Sequence, residues 1–327
     1  KKDVLDFYFE LSHFLLINDK LDRNYVIYTQ MESDGSFSIK LLCVNPSNNL
    51  KECMLRGRSS ILFSATLLPI QYYKRLLGAE EGDYEVYAHS VFDPQKKGLF
   101  IAEDVTSKYS RRSDMEYYNI ASYIHKIVCQ REGNYMVFFP SHAFLQNVYG
   151  VYSAYFQDKS SVECLLQEEY MNEESREAFL ARFQSGTEAC EFELVIERKS
   201  TLIGFCVLGG IFSEGIDLKN DSLIGAIIVG TGLPQVCNER EILKKFFDSQ
   251  GDNGFDFAYR YPGMNKVLQA AGRVIRTVED VGIVALLDER FLTASYKRMY
   301  PREWEAYEQV SLERIGKRIE RFWDEWL

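Results

Sequence analysis

Short apolar runs, each closed by turn residues and most of them followed by a stretch of helical period, recur along this chain and constrain its fold more than any other feature. The runs are Ile61 to Phe63, Leu99 to Ala102, Tyr135 to Phe139, Val162 to Leu166, Phe205 to Leu208, Ala226 to Val229 and Ile283 to Leu287. Between them, Tyr117 to Gln130, Glu174 to Phe183 and Glu239 to Asp248 carry apolar residues at helical spacing. Strand alternating with helix predicts an α/β fold with a central, mostly parallel sheet flanked by helices. The strands are apolar nearly throughout, as strands covered on both faces must be. In such sheets binding groups collect at the carboxyl ends of the strands.

The two ends of the chain read differently. A helix-period segment from Val4 to Leu16 precedes Tyr25 to Gln30 and Phe37 to Val44, two alternating strands around the turn Ser33-Asp34-Gly35-Ser36. A hairpin needs other elements to cover its face, so the chain is expected to begin in the middle of a domain. At the other end, Arg302 to Leu327 predicts a helix, with Ile315, Ile319, Phe322 and Trp326 on one stripe expected to dock on its own domain.

With 327 residues, 46% of them hydrophobic, the chain can bury a sizeable core, and one large domain plus a smaller piece is expected. No run of about 18 apolar residues and no signal-peptide pattern occurs, which predicts a soluble, cytoplasmic protein without a membrane partner. Seven cysteines with no CxxC pair read as reduced thiols, mostly in the core. The net charge of -10 excludes a protein that coats itself in nucleic acid through bulk charge but leaves room for a local groove. Positive clusters at Arg56 and Arg58, at Lys108, Arg111 and Arg112, and from Arg314 to Arg321 read most simply as solvated faces.

Four segments carry residue types suited to chemistry. In Tyr261-Pro-Gly-Met-Asn-Lys-Val-Leu-Gln-Ala-Ala-Gly-Arg-Val-Ile-Arg276, a helix starting at Pro262 and Gly263 would place Gln269, Arg273 and Arg276 on one face. Arginine offers a planar fork of donors and a permanent charge, which suits a phosphate. Phe205-Cys-Val-Leu-Gly-Gly-Ile-Phe-Ser-Glu-Gly-Ile-Asp217 puts Ser213, Glu214, Gly215 and Asp217 on a glycine-rich loop after a buried strand. Ile61-Leu-Phe-Ser-Ala-Thr-Leu67 and Tyr135-Met-Val-Phe-Phe-Pro-Ser141 each end a strand in hydroxyl residues, Thr66 and Ser141 among them. Phe212 and Tyr259 read as core aromatics rather than base-stacking ones.

Taken in order, these segments resemble the DinG/XPD group of superfamily 2 helicases. Ser64-Ala-Thr-Leu67 resembles motif III, Phe139-Pro-Ser141 motif IV, Gly210 to Asp217 motif V, and Gln269-Ala-Ala-Gly-Arg-Val-Ile-Arg276 motif VI. Val229-Gly-Thr-Gly-Leu-Pro234, Ala258-Tyr-Arg-Tyr-Pro-Gly263 and Leu287-Asp-Glu-Arg-Phe291 match neighbouring landmarks of the group. The resemblance implies a RecA-like motor domain over 79–327 and, over 1–78, the remnant of an arch and of the first motor domain. It implies Arg273 and Arg276 as arginine fingers, Gln269 orienting them, and Gly215 and Asp217 at the nucleotide. Thr66, Ser141, Ser213 and Glu214 would lie along single-stranded DNA.

An ATPase of this kind also needs a loop ending GK[ST] and an acidic box for magnesium. Neither occurs: Gly316-Lys317 is followed by Arg318, and Asp288-Glu289 by Arg290. The expectation is therefore the C-terminal half of a 5'-to-3' DNA helicase. ATP with magnesium would bind between it and an N-terminal motor domain outside this chain, and any 4Fe-4S cluster would also belong to that part. The competing expectation is a binding module that kept the fold and lost catalysis.

Overall fold

The computed structural model describes residues 2–157, 162–184, 201–212 and 222–326. The chain forms two compact units, one of Lys1–Val86 with Gln235–Tyr261, the other of Tyr87–Pro234 with Pro262–Leu327. The boundary expected after residue 78 falls inside the first of these.

The first unit begins with helix α1 (Lys2–Asn18), none of whose residues is buried. Strands β1 (Tyr25–Met31) and β2 (Phe37–Cys43) pair antiparallel, with Tyr25 opposite Cys43 and Met31 opposite Phe37. Gly35 closes their turn at φ +83°, a backbone shape that a side chain disfavours. Helices α2 (Ser47–Met54) and α3 (Ile70–Leu77) follow. Val26 and Leu42 of the hairpin pack with Tyr72, Leu76, Phe247 and Phe257. The expected strand Ile61 to Phe63 does not form: Ile61 is 85% and Phe63 90% exposed. A strand exists only by pairing, and the two described strands of this unit already pair with each other.

The described residues of the second unit form seven strands, all in parallel pairs. In chain order come β3 (Lys97–Ala102), α4 (Asp114–Val128), β4 (Asn134–Phe139), α5 (His142–Tyr155), β5 (Val162–Leu166), α6 (Glu173–Gln184), β6 (Thr201–Val207) and β7 (Gly225–Val229). After α7 (Asn238–Ser249), which belongs to the first unit, come α8 (Tyr261–Ala271), β8 (Gly282–Leu287), α9 (Ala294–Lys297), β9 (Glu308–Val310) and α10 (Ile315–Trp326). The sheet order is β5-β6-β4-β7-β8-β3-β9. β4, β6, β7 and β8 are apolar or nearly so and are buried along most of their length, which explains why their sequences lack alternation.

The carboxyl tail differs from the single helix expected. Glu308–Val310 is taken up by the open edge of β3, and Glu103 N–H then donates to the Val310 carbonyl, so helix formation waits until Ile315. α10 docks on its own unit as expected, through Ile315, Ile319 and Trp323 rather than Trp326. Ile319→Val removes one methylene from this buried stripe and is expected to lower stability by about 1 kcal/mol, read as a shift in denaturant midpoint. The cysteines also correct the reading: of those described, Cys206 is buried, whereas Cys53, Cys129 and Cys237 are exposed on helices or at their ends.

Candidate functional site

β4 and β7 are neighbours, yet the chain leaves β4 toward the β5 edge and leaves β7 toward the β8 side. Connections departing in opposite directions open a crevice at the carboxyl ends, where ligands of such sheets bind. On one side of it stands Ser141, the N-cap of α5. Its Oγ accepts from the Phe144 N–H at 3.3 Å, leaving the hydroxyl proton to donate elsewhere. On the other side β7 ends in Gly230-Thr231-Gly232, with Gly230 at φ +80° and Gly232 at φ +66°. A methyl on Gly230 would stand 2.4 Å from Ser107 Oγ, so the loop closes tightly on Ser107, in the segment between β3 and α4.

Ser107 belongs to a buried ion-pair network. Asp288, directly after β8, is 0% exposed. Its Oδ2 accepts from Ser107 N at 2.8 Å, from Ser107 Oγ at 3.0 Å and from Arg290 Nη2 at 2.7 Å. Its Oδ1 accepts from Arg290 Nε at 2.8 Å, from Arg290 N at 3.0 Å and from Thr106 Oγ1 at 3.2 Å. Burial pushes this carboxyl up, but the Arg290 hydrogen bonds and charge and the Ser107 N–H outweigh it and hold the group below its ordinary value. The sequence quoted Leu287 to Phe291 as a landmark and assigned it no role. The available signal was a carboxylate placed immediately after a wholly buried strand.

The positive cluster beside this network is paired with acids. Lys108 Nζ lies 2.8 Å from Glu289, and Arg111 lies 3.2 Å from both Glu116 and Glu289. Glu116 is itself buried and accepts from Thr106 N–H at 2.6 Å, while its own N–H donates to the Ser113 cap of α4. Arg112 spreads over the Phe144 ring at 5.1 Å. These side chains order the crevice wall as a charge-balanced surface.

α8 departs from its expected form at both ends. Asp256–Arg260 make a π-helical turn that runs straight into it, so Pro262 lies within a helix instead of starting one. Proline has no N–H for the Ala258 carbonyl four residues back, and that carbonyl accepts from Arg240 Nη1 at 3.1 Å. The wider π turn also gives the proline ring room. At the other end the helix stops at Ala271, so Gln269 is helical while Arg273 lies in a turn and Arg276 beyond it. The single face expected for the three residues is not formed. Gly272 is a poor helix residue, and Val274 turns inward so closely that a methyl on Gly282 would stand 2.3 Å from it. Asp280 then fixes the segment, accepting from Arg276 N at 2.6 Å and Thr277 N at 2.7 Å.

The two ends of α8 thus serve different places. Its amino end touches the carboxyl-end loops: Gly263 lies against Thr231 and Gly232, and Lys266 against Gly209. Its far end, about 16 Å along at the rise of an α-helix, leads through half-buried Arg273 and Arg276 toward the amino end of β8. Ser213, Glu214, Gly215 and Asp217 lie outside the described residues. Thr66 belongs to the first unit and stands half-buried beside Ser64. Phe212 is core, stacked on Phe179 at 4.3 Å, and Tyr259 is buried with its hydroxyl on Glu241. Among the described residues no three His, Cys, Asp or Glu side chains are placed to hold a metal, and no helix is long and apolar enough to cross a membrane.

Residues 124–307 match the family model described as the helicase C-terminal domain. An ATP-dependent DNA helicase chl-1 of Caenorhabditis elegans is 26% identical over 304 residues, 89% of this chain and 35% of its own length. An ATP-dependent DNA helicase XPD of Sulfolobus acidocaldarius is 29% identical over 275 residues, 80% of this chain and 45% of its own length. The chain therefore spans less than half the length of these relatives. Two solved XPD structures superpose with TM-scores of 0.60 and 0.62 at 23% and 22% identity. They match 88% and 94% of this chain against 48% and 57% of their own, a likeness of fold.

Proposed function

We propose, because this chain belongs to the family of helicase C-terminal domains, that it is the second motor half of an ATP-dependent DNA helicase and supplies one wall of a composite ATP site. The observation that carries this reading is α8, which leans at one end on the loops at the carboxyl ends of the sheet and leads at the other to Arg273 and Arg276.

In this reading the two guanidiniums meet nucleotide phosphates presented by a first motor domain. They offer donors and charge where negative charge grows during phosphoryl transfer, and Gln269 orients them. Gly215 and Asp217 approach the same nucleotide. The described carboxylates do not fit a magnesium site, so no step is assigned here to the metal. Single-stranded DNA passes over the β4 and β7 ends, where Ser141 and the first turn of α5 favour backbone phosphates. Ser213 and Glu214 continue that track. Residues 1–78, with Thr66, belong in this reading to the end of the first motor domain, and 5'-to-3' movement is carried over from the resemblance.

One wall of each site predicts specific behaviour for the chain by itself. ATP turnover should stay at background, and single-strand binding should be weak and fall steeply between 50 and 200 mM salt, by roughly tenfold or more. Phosphate release and fluorescence anisotropy measure the two. ATP turnover by the pure chain that vanishes in Arg273→Ala would overturn the assignment of a second, catalytic wall to another domain.

A further inference from the structure

The network around Asp288 stands at the carboxyl end of β8, whereas Arg273 and Arg276 precede that strand, and one continuous run of contacts leads from the network to α8. Ser107 Oγ is held from both sides, donating to Asp288 at 3.0 Å and accepting from Arg290 Nη2 at 2.6 Å. Its orientation is therefore fixed. Gly230 packs on that oxygen so closely that a methyl there would stand 2.4 Å away, with no freedom to settle deeper. Two residues on, a methyl on Gly232 would stand 2.6 Å from the Gly263 carbonyl. Conversely, a methyl on Gly263 would stand 2.8 Å from the Thr231 carbonyl. The loop is thus a spacer, one residue thick, between Ser107 and the start of α8.

Two further features mark this spacer as held in place. Gly230 and Gly232 both have positive φ, so the loop has a shape that only these residues adopt without strain. Between them Thr231 is 1% exposed, and among the described residues its hydroxyl has no hydrogen-bond partner. A buried polar group in that condition disfavours the conformation that contains it, so the contacts on either side must hold the loop there. At this end of α8, Lys266 also lies against Gly209 of the loop after β6.

We propose that Asp288, with Arg290 and Ser107, is a positioning element for the arginine helix: it fixes the Gly230–Gly232 loop, the loop seats α8 at Gly263, and the seat sets where Arg273 stands. The inference rests on the reading that Arg273 serves the nucleotide. It adds that the ion pair at the β8 end controls how well it does so. A shift of about 1 Å at the seat moves α8, whose end at Ala271 is two residues from Arg273, and misplacement on that scale is enough to cost a catalytic group much of its effect.

The test uses a helicase-length protein containing this chain, with DNA-stimulated ATP hydrolysis measured per folded molecule. Gly263→Ala is the principal variant, because alanine favours the helix and the change acts only through the seat. Asp288→Asn, which keeps the shape but removes the charge and puts an NH2 donor where one accepting oxygen stood, is the second. Gly263→Ala is expected to lower kcat about tenfold, with KM for ATP and DNA affinity within about twofold. In an Arg273→Ala background it should have less than a twofold further effect, since a group that acts through the arginine has nothing left to position. Asp288→Asn should show the same loss and the same background dependence. Equal losses with and without Arg273, or a normal kcat in both variants, overturn the proposal while leaving the arginine reading standing. Unchanged turnover in Arg273→Ala alone would remove the arginine reading and this inference with it.

Discussion

In a helicase-length protein, Arg276→Ala is expected to lower DNA-stimulated ATP turnover about a thousandfold, the scale of an arginine finger. That is about 4 kcal/mol of transition-state stabilisation. The loss belongs to the rate of the chemical step. Asp280 holds the segment through the Arg276 and Thr277 backbone N–H groups and the Thr277 hydroxyl, contacts that the substitution leaves in place. Single-strand affinity should stay within about twofold, because Ser141 stands at the carboxyl end of β4 whereas Arg276 precedes the amino end of β8. Arg276→Lys keeps a charge but loses the planar fork, so it should recover no more than about tenfold of the loss. Single-turnover hydrolysis with DNA present reads all three variants. A normal rate in Arg276→Ala would mean that the residue does no more than complete the turn that Asp280 closes.

Much of the sheet was legible because burial on both faces leaves a direct imprint on composition. Val162–Leu166 was bounded correctly at both ends, and the runs at Tyr135, Ala226 and Ile283 were placed within a residue or two. Where the reading failed, the deciding partner was remote or absent. Ile61 to Phe63 has the composition of a buried strand, but composition cannot say whether a sheet is available to pair with it. The end of α8 was misjudged because Gly272 and Val274 act together, and the inward pull of Val274 comes from Gly282, eight residues on. Pro262 signalled a helix start by local rules, whereas Arg240 from α7 satisfies the carbonyl it leaves behind. Ser141 was found because strand ends collect binding groups. Asp288 was passed over as a site because its partner Ser107 is 181 residues away, a separation that no spacing pattern records.

The same distance makes the Asp288 network a severe point of failure for the second unit. Arg290→Ala removes both side-chain hydrogen bonds that guanidinium gives the buried carboxylate and the one it gives Ser107 Oγ. An unpartnered buried charge is the costly outcome of breaking such a pair, and the variant should lose about 3–5 kcal/mol at neutral pH. The pH dependence separates charge from packing. In the intact protein the folded-state pKa of Asp288 is depressed, so its contribution is present above the ordinary carboxylate value near ~3.9 and is lost as pH falls through the lower folded value. In Arg290→Ala the guanidinium's charge and hydrogen bonds are gone while burial, the largest influence, remains against only the Ser107 and residue-290 backbone N–H groups, so the carboxyl moves up, and acid neutralises the stranded charge and relieves the variant. Both effects have the same sign, and the deficit should be largest at pH 7 and shrink as the pH approaches 4. Urea unfolding of the two proteins at pH 7 and pH 4.5 measures it. An equal deficit at both pH values would assign the loss to the missing side-chain volume. A deficit that narrows in acid identifies the stranded Asp288 charge as the source of the instability.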